Sequence, residues 1–175
     1  QLRDPEAKAA ISAARHRIDA LAIVHQTLYQ NERLEQVQLK PFLTGLVSHL
    51  SEALGMEESR VEIVQEYDDV MRPADDAIPM ALFIVEAITN AMKYAFGPDG
   101  GVITVSLAVD DDGTTLRISD NGRGYDPSAP SDQESGRGLG SKLMNAFSRQ
   151  LAASLNVDAH PDGGCRLTLH MPNTD

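Results

Sequence analysis

The chain lacks tryptophan, has one cysteine, and keeps its aromatic residues to 5% of 175 positions. A lone Cys165 excludes an intrachain disulfide and a cysteine-built zinc cage, so a reducing, cytoplasmic compartment is the expectation. Long apolar runs are missing as well. No stretch approaches the ~18 consecutive apolar residues of a membrane-spanning helix, so no membrane contact is expected of this segment. Positive charge is scarce: 15 basic residues stand against 26 acidic ones, for a formal net charge of −11. That balance repels nucleic-acid backbones and anionic lipid, and no Lys/Arg-rich run offsets it. The opening residues, QLRDPEAKAA, contain neither an initiator Met nor an apolar signal core. The start therefore reads as a processing or cloning boundary, with further sequence expected upstream.

What is present suits one globular domain plus an appendage. Asp4-Pro5 reads as a helix start. Ile11, Ala14, Ile18, Leu21, His25 and Leu28 then recur at alternating spacings of three and four, a stripe made for packing against other helices. No partner of similar length is visible in the chain, so one is expected outside it. His25 falls within the stripe and reads as a buried structural histidine. His16 falls roughly opposite and reads as a surface histidine, although an exposed imidazole is also a candidate phosphoryl acceptor.

Beyond a polar break, QVQL reads as a short extended piece. Leu39 to Leu54 follows helical spacing and stops at Gly55. Arg60 to Tyr67 alternates like a strand, and a polar turn through Asp68 and Asp69 leads past Pro73 to a helix over roughly Pro79–Phe96. Two strands, Val102–Val109 and Thr114–Asp120, are joined by an Asp112-Gly113 hairpin. The acidic run there lacks the downstream glutamate of a calcium loop. Asn121 to Gly136 is rich in Gly, Pro, Ser and Asp and reads as a functional loop or lid. A last helix over about Leu139–Leu155 and two final strands, around Leu155–His160 and Cys165–Met171, complete an α/β sandwich with an antiparallel or mixed sheet.

Chemistry concentrates between Glu86 and Gly140. Glu86, Asn90 and Lys93, at i, i+4 and i+7, share one polar helix face. Two glycine runs follow, DNGRG (Asp120–Gly124) and GRGLG (Gly136, Arg137, Gly138, Leu139, Gly140). Glycines let backbone amides approach phosphates, and a helix N-terminus adds a favourable dipole. The Asn90 amide oxygen is a plausible ligand for a phosphate-bound Mg²⁺, and Lys93 can offset phosphate charge. Asp120, at a strand end, can accept a hydrogen bond from an exocyclic amine such as adenine's. Neither a Rossmann nor a Walker loop fits, because the acidic ribose ligand and the Gly-Lys-Ser/Thr ending are both missing. These features together point to an ATP site.

At these residues the sequence resembles the Bergerat-fold (GHKL) ATPases. EAITNAMKYAF resembles the N box of histidine kinases, DNGRG and GRGLG their two glycine boxes, and GGCRLTLHMP the closing glycine-plus-strand. RHRIDALAIVHQTLYQ with LEQVQLKPFL resembles the second helix of the dimerisation domain in bacterial sensor histidine kinases with an HRxKN-type acceptor helix. The resemblance implies an α/β fold: a Bergerat-type two-layer sandwich with a mixed sheet, preceded by a long helix from a dimerisation bundle. It divides the chain into residues 1–35, the partial dimerisation domain, and 36–175, the ATP-binding domain.

The same resemblance implies ATP and Mg²⁺ as cofactors, a response-regulator receiver domain as partner, and a homodimer through the helical bundle. Glu86 would polarise the acceptor imidazole, Asn90 ligate Mg²⁺, Lys93 contact phosphate and Asp120 read adenine. Gly122, Gly124, Gly136, Gly138 and Gly140, with Arg137 and Leu139 between them, would shape the pocket and its lid. HRID at His16 departs from the acceptor motif at Asp19 and Ala20, which places the acceptor histidine upstream of Gln1 and implies a fragment unable to phosphorylate itself. Cys165 stands where a threonine is usual. Two alternatives share the fold: a catalytically inactive phosphotransfer scaffold, and a serine kinase restraining a sigma factor, which would not need the long first helix.

Overall fold

The computed structural model describes residues 5–29, 35–124, 137–160 and 163–173. Helix α1 (Pro5–Tyr29) leads into β1 (Gln36–Gln38) and α2 (Leu39–Ala53). Leu39, Phe42, Leu43, Leu46, Val47 and Leu50 give α2 one fully apolar face, and all six are buried. It ends as Gly55 predicts. Gly55 adopts a positive φ of 60°, its N–H donates to the Glu52 carbonyl, and the Met56 N–H reaches the Ser51 carbonyl, satisfying the last turn.

Strand β2 (Val61–Tyr67) is followed by β3 (Met71–Pro73), a 3₁₀ turn (Ala74–Asp76), and α3 (Ala77–Tyr94). β3 pairs antiparallel with β1. It was not legible as a strand, since three residues ending in proline carry no period. β4 (Gly101–Asp110) and β5 (Gly113–Asp120) form the expected hairpin, with Asp110 Oδ1 accepting from the Asp112 and Gly113 N–H groups. α4 (Arg137–Gln150), β6 (Ser154–Ala159) and β7 (Cys165–Pro172) complete the chain.

The main sheet has the order β2-β4-β5-β7-β6, with β2 and β4 parallel and the other pairs antiparallel. It is the mixed sheet expected. Ile103, Val105 and Leu107 of β4 and Leu116 and Ile118 of β5 turn inward with Leu169 and Met171 of β7, meeting Met80, Phe83, Ile84 and Ile88 of α3 in one core. Each large side chain buried there contributes roughly 1.5–3 kcal/mol. α3 is thus fixed on its apolar side, and its polar side is left to carry chemistry.

α1 corrects the sequence reading. Its buried residues are His16, Ala20 and Val24, spaced i, i+4, i+8, and they face α3 and the core. The apolar stripe turns outward instead: Ile11, Ile18 and Leu21 are 54%, 65% and 39% exposed, and Ala14 and His25 are exposed with them. Burial of His25 is therefore contradicted, and so is exposure of His16. Ala20 explains the reversal, because a small side chain allows close helix approach while contributing nothing to an apolar pattern. The side chain of Leu28 lies outside the described residues.

Candidate nucleotide-binding site

α1 and α4 meet the polar side of α3, and the first glycine run meets its C-terminal end. Glu86 and Asn90 project from its middle, and Gly140 of α4 packs onto both. A Cβ at Gly140 would lie 3.3 Å from Asn90 Nδ2 and 3.7 Å from Glu86 Oε2. The second glycine run supplies the helix N-terminus as expected, and the helix begins slightly earlier: Arg137, Gly138, Leu139 and Gly140 form the first turn of α4. The helix also stops earlier than expected, at Gln150, and Leu155 belongs to β6.

The first run is anchored to the end of α3. Arg123 donates from its backbone to the Ala95 carbonyl (2.9 Å) and from Nη2 to the Phe96 carbonyl (3.3 Å). Asn121 clasps β4 through a reciprocal pair with Val102. Gly122 lies so close that a Cβ would fall 2.3 Å from the Ala95 carbonyl oxygen.

Asp120, at the end of β5, is buried and held rigidly. Its Oδ1 accepts from the N–H groups of Gly122 (2.9 Å) and Cys165 (3.3 Å), and among the described residues Oδ2 has no protein donor. The start of β7 reaches it only because Gly164 has no side chain: φ is +89° there, and a Cβ would sit 1.8 Å from the Asp120 carbonyl oxygen. Burial, then Asp120 and Asp158, push the Cys165 thiol up to about 11, so it stays protonated and its role is packing and backbone donation.

Glu86 is 6% exposed, and its Oε1 accepts from Arg17 Nε of α1. That hydrogen bond, ahead of the opposing desolvation, raises the guanidinium further above its ordinary range. Beside it, His16 is 4% exposed and, among the described residues, neither ring nitrogen has a partner. The Asn90 amide is half-buried and, among the described residues, has no hydrogen-bond partner.

Other expected residues stand apart or cannot be placed. Lys93 is exposed, with Nζ 5.7 Å above the Tyr94 ring. Gly124 is exposed at φ +94°. Gly136 and the lid expected over 121–136, from residue 125 on, lie outside the described residues, as do the side chains of Arg137 and Leu139.

Comparison with known proteins accounts for this geometry. Residues 75–175 match the family model described as histidine kinase-, DNA gyrase B-, and HSP90-like ATPase. The chain belongs to that family. Residues 1–54 match a second model, described as histidine kinase, so a histidine kinase segment precedes the ATPase domain.

Among relatives of this histidine kinase-like ATPase is the sensor protein VraS of Staphylococcus aureus, 28% identical over 112 residues, covering 64% of this chain and 30% of VraS. The oxygen sensor histidine kinase NreB of Staphylococcus carnosus is 32% identical over 92 residues, 53% of this chain and 25% of NreB. The chain thus spans about a third or less of these relatives. The histidine kinase domain of a blue-light activated kinase from Erythrobacter litoralis shares the fold, with a TM-score of 0.78 at 22% identity over 91% of this chain and 74% of that one. The alternative of a sigma-restraining serine kinase is not supported, since the N-terminal match is to a histidine kinase segment.

Sequence reading missed Arg17. The partner that would have revealed it, Glu86, lies 69 positions away, and no local pattern links them. Asn121 was read only as part of a glycine box; its side chain is a fastener between loop and sheet.

Proposed function

We propose that this chain is the ATP-binding catalytic part of a two-component sensor histidine kinase. It moves the γ-phosphoryl group of ATP to a histidine, and from there the group passes to an aspartate of a response-regulator receiver domain. The packing of Gly140 onto Asn90 and Glu86 carries this reading, because it brings a helix N-terminus, an amide and a carboxylate to one place.

Each residue has a role that fits its surroundings. Asp120 Oδ2 accepts from the exocyclic amine of adenine while Oδ1 is held by backbone donors. Gly122, Gly124 and Gly164 keep the base pocket free of side chains, and the first turn of α4, with Gly138 and Gly140, lies against the phosphates. Lys93 belongs to the rim, and Gly136, Arg137 and Leu139 are assigned to nucleotide contact.

In transfer, the imidazole nitrogen forms a bond to Pγ while the bond from Pγ to the β,γ-bridging oxygen breaks, its electron pair leaving with ADP. The proton on the other ring nitrogen passes to Glu86. The Asn90 amide, unpartnered among the described residues, fits a Mg²⁺ that would neutralise phosphate charge. Among the described residues no three His, Cys, Asp or Glu side chains group as metal ligands, so such an ion would come with the nucleotide.

His16 is buried and a poor acceptor, and we assign the receiving histidine to a segment outside this chain. We divide the chain at residue 36 into a partial dimerisation segment and the ATP-binding domain, with a homodimer formed through the outward stripe of α1. No described helix is long and apolar enough to cross a membrane, and a cytoplasmic setting suits ATP use.

The full-length protein, given γ-labelled ATP, is expected to form alkali-stable, acid-labile phosphohistidine. Glu86→Gln is expected to slow this by ~10²–10⁴-fold with ATP affinity retained. Labelling unchanged by that substitution, or no phosphohistidine at all, would contradict the proposal.

A further inference from the structure

Glu86 is bracketed. One carboxylate oxygen accepts from Arg17 of α1, and the other faces the Gly140 position of α4. The guanidinium occupies one side of the carboxylate and α4 stands against the other, so an incoming imidazole must compete with Arg17 for access to it. Arg17 lies in the segment matching the histidine kinase model and Glu86 in the ATPase, so one ion pair joins the two modules at the carboxylate assigned to proton transfer.

We propose that Arg17 and Glu86 form a releasable latch: with α1 docked the carboxylate is withheld, and undocking of α1 frees it. This rests on the kinase reading above.

The way α1 is seated argues for release rather than permanent closure. Among the described residues its inward row is slight, consisting of Ala20 and Val24 beside His16, with Ile23 only partly buried against the core. His16 brings two ring nitrogens into the interface with no partner for either among the described residues, so docking is penalised at the residue next to the ion pair. The larger apolar residues, Ile11, Ile18 and Leu21, face away and offer a hold by which an outside helix can draw α1 off α3. A favourable pair and an unfavourable neighbour in adjacent positions make a contact whose two states lie close in free energy.

Two neighbouring substitutions should act in opposite directions. In the full-length protein, Arg17→Gln removes the pair, and His16→Leu fills the same space without orphaned nitrogens. Hydrogen exchange of amides 16–24 is expected to quicken about tenfold in Arg17→Gln and to slow in His16→Leu, with the main sheet unchanged. Phosphohistidine formation from Mg-ATP should follow the same order, faster in Arg17→Gln and slower in His16→Leu, at unchanged ATP affinity. A purely structural Arg17 would give the reverse, since its loss would lower activity. Unchanged α1 exchange in Arg17→Gln overturns the latch, as does slower phosphorylation with ATP binding intact. If the wild type binds no Mg-ATP, it is the kinase reading that fails, and the exchange measurement still decides whether Arg17 holds α1.

Discussion

Gly140 of α4 stands against the Asn90 amide of α3, where a Cβ would lie 3.3 Å from Nδ2 and 3.5 Å from Oδ1. The first turn of one helix is thereby set directly over a side chain projecting from another. Gly140→Ala separates stability from function. Alanine favours the helix by up to ~1 kcal/mol, yet its methyl group must displace the amide by a few tenths of an ångström. The melting temperature is expected to hold or rise while Mg-ATP affinity falls roughly tenfold. Calorimetric melting and titration on the same sample check both halves.

Phe83 holds α3 from below. It is among the largest fully buried side chains, packed in the core with Met80, Ile84 and Ile88. Phe83→Ala is expected to cost ~3–5 kcal/mol in urea unfolding through cavity formation. It should also weaken nucleotide binding, because α3 carries both Glu86 and Asn90.

His16 makes the seating of α1 sensitive to pH. Burial first, then Arg15, hold its imidazole below the ordinary 6.5, with Asp19 acting the other way. A released α1 takes up the proton near ~6.5, while a docked one resists it. Docking is therefore fullest above about 6.5 and weakens as pH falls from there toward the depressed docked value. Hydrogen exchange of α1, corrected for intrinsic rates, should quicken between about pH 7.5 and 5.5, and His16→Leu should remove that dependence. The same substitution relieves orphaned polar atoms that cost ~1–3 kcal/mol.

Ile18 reports on the outward stripe. At 65% exposure, its replacement by glutamate should change the stability of the isolated chain by no more than ~0.5 kcal/mol. In the full-length protein the same change is expected to shift sedimentation from dimer toward monomer. An unaltered dimer would place the interface elsewhere.

Much of the ATP-binding half was legible because its signals are local. Strand alternation, the Asp112-Gly113 hairpin, Gly55 as a helix stop and the i, i+4, i+7 face of Glu86, Asn90 and Lys93 each need only a few neighbouring residues. The resemblance to the GHKL ATPases then placed the glycine runs within one fold. Legibility failed where distant chain decides the outcome. α1 has two usable faces, and its stronger apolar pattern marks the one turned away from this chain, while His16, Ala20 and Val24 fit the core with almost no hydrophobic signal. The second glycine run reads as the N-terminus of a helix over about Leu139–Leu155, and α4 begins two residues earlier, at Arg137, with Gly140 against Asn90 and Glu86. Lys93 shows the limit of periodicity: it shares a face with Glu86, yet its ammonium lies over Tyr94.

The central claim is that Asp120 reads adenine within a nucleotide site. Asp120→Asn keeps an Oδ1 acceptor for the Gly122 and Cys165 N–H groups but presents an amide N–H₂ where the adenine amine must donate. Isothermal titration with Mg-ATP and Mg-GTP decides the matter. The account predicts that the wild type binds Mg-ATP well ahead of Mg-GTP, and that Asp120→Asn loses roughly 10–100-fold in ATP affinity with its melting temperature nearly unchanged. Equal affinity for the two nucleotides, or an Asp120→Asn protein that binds ATP as the wild type does, would contradict it.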